Sequence, residues 1–158
     1  MIPMFQSLWT HLVWADHAIL KTVSGQEGAA ADSEIRKWLH HIVTVQQFFL
    51  ALFQGQPFDM ERFRREPGGM DELGQLFEAA HADGAAFTSH LDDAALARTI
   101  EFPVPAFKDF HPSVRDGLMQ VIMHSEHHRA QVSQRVRALG GKPPVLDYIA
   151  WIRDNSLK

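Results

Sequence analysis

The sequence predicts an all-α protein folded as a four-helix bundle, and three observations carry that expectation. Apolar residues recur at steps of three and four along most of the chain. Glycine and proline fall mainly between these periodic stretches. No segment alternates for long enough to be a central strand.

In the first helix Phe5, Leu8, Leu12, Ala15, Ile19 and Val23 form the apolar stripe, after a proline, Pro3, that suits a first helical turn. Ser24-Gly25 and Gly28 end it. Asp32 or Ser33 caps the second helix, which reaches about Gln54 before Gly55 and Pro57 break it. A loop follows through Pro67-Gly68-Gly69. The third helix, roughly Asp71 to Leu91, carries Leu73, Leu76, Phe77, Ala80, Phe87 and Leu91, and is weakened at Gly74 and Gly84 by about 1 kcal/mol each relative to alanine. Residues 98–110 hold two prolines and read as an extended crossover or a small edge hairpin. Ser113 and Asp116 open the fourth helix in a capping-box arrangement, and Gly140-Gly141 end it. A short helical piece from about Asp147 to Arg153 closes the chain.

Composition narrows the function. At 158 residues the chain is long enough for one domain, expected to span residues 1–158, and 46% hydrophobic with 22% charged residues excludes wholesale disorder. Cysteine is absent, which removes disulfides, thiolate nucleophiles and cysteine-based metal sites. Fifteen basic against nineteen acidic residues give a net charge of −4, and Glu61-Arg62-Phe63-Arg64-Arg65-Glu66, the densest basic stretch, carries its own acids. Nucleic acid is therefore not an expected partner. The longest apolar run, Phe48 to Phe53, falls far short of the roughly 20 residues that span a bilayer. With no basic-then-apolar leader at the N-terminus, the expectation is a cytoplasmic protein with no membrane partner.

Histidine is the informative residue: there are ten, five of them in Leu39-His40-His41-Ile42 and His124-Ser125-Glu126-His127-His128-Arg129. At about 100° per residue, His41 lies roughly 70° from the centre of the second helix's stripe and His40 roughly 170°. On the fourth helix His128 lies about 60° from the centre, His124 about 100° and His127 about 160°. His124 and His128 are four apart and stack on one face, the spacing by which one helix offers two imidazoles to one ion. His41 is the candidate third ligand from a facing helix. Three imidazoles with an open position make a catalytic rather than a structural arrangement. A histidine pair at this spacing also arises by chance in a histidine-rich chain, and His41 alone suits a hydrogen-bonded core edge; the coincidence of all three on stripe flanks favours metal. Glu126, two residues after His124, falls off the shared face and is not assigned as a base. His11, His17, His81, His90 and His111 are expected at the surface or rim. Trp9, Trp14, Trp38 and Phe48 are expected in the core.

The chain resembles the DinB-like metal-binding bundles, with their YfiT-like relatives, through Trp14-Ala15-Asp16, His41-Ile42-Val43 and His124-x-x-x-His128-Arg129-Ala130-Gln131. The ending Gly140-Gly141-Lys142-Pro143-Pro144, then Asp147 and Trp151, is also similar. Ala130 departs from the glycine usual there. The resemblance implies an up-down-down-up bundle with a long crossover between the second and third helices. It also implies a divalent metal on His41, His124 and His128, and a homodimer. Zn, Ni, Fe and Mn all suit such a site. The leading functional expectation is a metal-dependent enzyme, a hydrolase or a thiol-dependent transferase, acting on a small molecule. Any low-molecular-weight thiol would come as a cosubstrate. The alternative is a non-enzymatic metal-binding or stress-associated dimeric helical protein.

Overall fold

The computed structural model describes residues 1–156, and its regular structure is helical throughout that span. Four long helices make the body: α1 (Ile2–Ser24), α3 (Ser33–Gln54), α4 (Met70–Ser89) and α6 (Val114–Ala138). Short helices α2 (Glu27–Ala31) and α5 (Asp93–Ala97) sit in the connections between the long helices, and α7 (Tyr148–Ser156) packs against α1. Helices α1 and α3 each pack against both α4 and α6, so the four form a ring of neighbours.

Local chemistry fixes the ends. Asp32 caps α3, its Oδ1 accepting from the Ile35 N–H at 2.9 Å. Gly55 stops the same helix with φ of 64°, a left-handed conformation that costs glycine little. Ser113 and Asp116 form the expected capping box at α6. The expected extended crossover over residues 98–110 holds only in part: Thr99 forms an isolated bridge with Ser113, and a 3-10 turn (Pro105–Phe107) then breaks the extended run. Arg98 holds this stretch to the bundle by donating to the Phe53 carbonyl.

The core comes in two apolar halves. One gathers Phe5, Trp9, Leu12, Phe48, Phe53 and Val121; the other gathers Ile19, Leu39, Ile42, Phe77, Val132 and Val136. Gly84 lets α4 and α1 approach closely, because a Cβ there would sit 1.8 Å from the Trp9 ring. Between the halves, in chain order, lie the buried polar side chains Asp16, Gln46, His81, Ser125 and Arg129. Among the described residues, no helix is long and apolar enough to cross a membrane.

Candidate metal centre

Helix α3 supplies His41 and α6 supplies His124 and His128, and these two helices lie side by side. Arg135, in the last turn of α6, reaches across to the α3 cap: its Nη2 and Nε donate to Asp32 Oδ2 at 2.8 and 3.1 Å. The guanidinium holds the Asp32 carboxyl below its ordinary range. The register of the two helices is thus tied at one end.

The three rings converge. Their centroids stand 4.8 Å (His41–His124), 4.8 Å (His41–His128) and 4.4 Å (His124–His128) apart. One nitrogen from each lies within 4.8 Å of the other two, close enough for the three to hold a metal ion. The Nε2 atoms of His41 and His124 face each other at 3.1 Å. Two nitrogens bound tetrahedrally at about 2.0–2.1 Å to one zinc would stand roughly 3.3 Å apart. His128 donates its Nδ1–H to Gln131 Oε1 at 2.6 Å, which leaves Nε2 as the lone-pair atom. His124 Nδ1 is buried with no partner. Its other nitrogen meets only a second imidazole, so an ion drawing on these lone pairs accounts for the cluster better than proton sharing. The donor set fits a divalent metal.

Electrostatics keep the rings neutral. Burial, reinforced by the neighbouring imidazoles His128, His41 and His127, pushes His124 down to about 4. Burial also lowers His41, with His128 and His40 adding to it. His128 is lowered by burial and by His127, against the hydrogen bond to Gln131. Imidazoles uncharged at neutral pH are the form that binds metal.

One wall comes from the loop between α3 and α4, where a 3-10 turn (Met60–Arg64) brings Phe63 against His41, ring centroids 6.2 Å apart. Phe48 and Phe58 back that ring. A cavity of about 220 Å³ opens beside His41 under this loop.

Next to the histidines sits the polar layer. Arg129 Nη1 donates to Asp16 Oδ1 at 2.6 Å, with 1% and 0% of the two side chains exposed. Asp16 Oδ2 also accepts from Gln46 Nε2 at 2.8 Å and contacts His81 Nε2 at 3.1 Å. Gln46 Nε2 lies 3.3 Å from Ser125 Oγ. Burial works against the Asp16 carboxylate, but Arg129 and His81 hold its pKa below the ordinary value. Each long helix contributes to this layer, so it ties the metal-bearing helices to the other two.

The outcome for the predicted residues is mixed. His41, His124 and His128 come together, His127 is exposed as expected, and Glu126 turns to Arg129 at 2.9 Å. His40 does not face water: it is buried, with Arg65, Glu66 and Glu72 near it, because the loop after α3 covers the outer face of that helix. His11 and His81 are also buried, not at the rim. His11 Nε2 bonds the Leu146 carbonyl at 2.9 Å beneath the C-terminal segment, and His81 joins Asp16. Trp9 and Phe48 are core residues, whereas Trp14 and Trp38 are only partly buried against it. Helical period alone does not pair Asp16 with Arg129, although opposite charges beside the apolar stripes of two helices are a readable signal.

The sequence model of the DinB superfamily matches residues 32–132, a span holding all three histidines of the cluster. No curated protein matches the sequence.

Proposed function

This chain belongs to the DinB superfamily, and from that premise we propose that it is a divalent-metal protein with an open three-histidine site, acting as a metal-dependent enzyme. The donor set carries the reading: three neutral imidazoles converge, one of them, His41, bordering a cavity, and among the described residues no carboxylate or further histidine joins them. Structural sites close with four protein ligands, and catalytic ones keep three. When bound, the ion supplies a Lewis acid and lowers the pKa of a water or thiol beside it.

The chain's own residues then have limited tasks. Gln131 fixes the tautomer and tilt of His128, and Phe63 screens one side of His41 from solvent. The nearest acid in sequence, Glu126, is engaged by Arg129 and offers no base to the histidine face. The chain has no cysteine, so the nucleophile in this reading is water in a hydrolase or a low-molecular-weight thiol cosubstrate in a transferase. Zn, Ni, Fe and Mn all suit three imidazoles. A homodimer, which the family resemblance implies, and a cytoplasmic location belong to the same proposal.

Titrating the purified protein with Zn, Ni, Mn and Fe(II) tests the site. One tightly held ion per chain is expected, with tight binding lost in His41→Ala; unchanged binding in the variant would remove His41 from the site. Turnover of small-molecule substrates, screened with and without a thiol cosubstrate, then separates an enzyme from a metal-binding protein without activity.

A further inference from the structure

The cavity beside His41 has an unusual lining for an acidic chain. Lys37, Arg64 and Arg65 border it together with Phe63, and Glu66 is the one carboxylate there, while the whole chain carries −4. Arg64 is paired with Glu61 at 2.5 Å. Among the described residues, Lys37 and Arg65 enter no ion pair. Two uncommitted cations thus face one acid.

Position matters as much as charge. Lys37 precedes His41 by four residues on α3, so the two side chains share a face about one helical turn apart, with roughly 5–6 Å between their Cβ atoms. Arg65 comes from the loop after α3, whose residues 63–67 line the same cavity. A molecule held in this cavity meets His41, Lys37 and Arg65 together. Three neutral imidazoles do not offset the charge of a divalent ion, so the cluster and the cavity beside His41 have the same electrostatic preference.

We infer that the site takes a small molecule with two anionic ends: one donor for the metal position and a second oxyanion, carboxylate or phosphoryl, held by Lys37 and Arg65. This rests on the three-histidine reading above and adds the substrate class.

The test uses the full chain loaded with cobalt(II), whose visible spectrum reports ligands entering the metal's coordination shell. Dissociation constants are measured for acetate, propionate and butyrate, and for malonate, succinate and glutarate. For at least one chain length the dicarboxylate should bind about tenfold more tightly than its monocarboxylate, the worth of a charge-assisted contact to partly exposed cations. In Lys37→Gln/Arg65→Gln that gain should vanish, while cobalt affinity and monocarboxylate binding stay unchanged. Replacing succinate with 3-phosphonopropionate shows, by the larger gain, which oxyanion the cavity prefers. A normal cobalt spectrum with no dicarboxylate preference, or a preference that survives the double substitution, would overturn the anion inference alone. Failure of the wild-type chain to bind cobalt would instead overturn the three-histidine reading, and this inference with it.

Discussion

Removing Asp16 should be among the most damaging single changes available in this protein. The carboxylate has no exposed surface, and its main partner, the Arg129 guanidinium, is 1% exposed. In Asp16→Ala that cation stays buried with only Glu126, a half-exposed acid at 2.9 Å, to answer it. His81 Nε2 loses its bond, and His81 Nδ1 has none already. Gln46 Nε2 keeps only Ser125 Oγ at 3.3 Å. Breaking a buried pair costs about 3–5 kcal/mol, and the remaining Glu126 contact argues against the top of that range, so about 4 kcal/mol is expected. Urea denaturation followed by circular dichroism measures it. The apolar pair Asp16→Leu/Arg129→Met should recover most of the loss, since it leaves no uncompensated charge behind. A cost below about 1 kcal/mol for Asp16→Ala would refute the reasoning, because an ion pair this dry cannot be worth so little if it is formed.

The same carboxylate sets a pH dependence. Its folded pKa is depressed, so its stabilisation is complete above the unfolded value of about 3.9 and is lost as pH falls through the lower folded value. The stability difference between wild type and Asp16→Asn should therefore shrink below about pH 4, as read from melts across pH. Gly84→Ala and Gly74→Ala should act in opposite directions in thermal melts. The first drives a methyl into Trp9 and costs about 1–3 kcal/mol, whereas the second meets nothing within 4 Å and gains about 0.5–1 kcal/mol. Gln131→Leu frees the His128 ring and should weaken metal binding about 10- to 100-fold in a chelator competition, with the fold intact. Asp32→Ala loses both the α3 cap and the Arg135 tether and should cost about 1–2 kcal/mol in urea.

Much of this was legible because helical period is a local code. The stripes placed four helices, Asp32 and Ser113 marked two starts, and one turn of spacing singled out His124 and His128. Angular position along a single helix could also choose His41 over His40 as the inward residue. It could not see that the following loop folds back over α3, which is why His40 is buried and why Arg65 borders the same opening as Lys37. His11 and His81 escaped for a related reason: their partners, Leu146 and Asp16, lie 135 and 65 residues away in the chain. Short α2 and α5 have too few turns to show a period.

The division of the hydrophobic interior by a salt-bridged stratum has a consequence for how the protein tolerates change. Side chains of one compartment do not touch those of the other, so volume lost at Phe53 cannot be refilled from around Ile42. Paired substitutions placed in separate compartments should be additive, while Arg129 paired with Asp16 or Glu126 should not. Drift can therefore remodel either end of the barrel of helices independently of the other, and the stratum beside the histidines only when its charged partners change together.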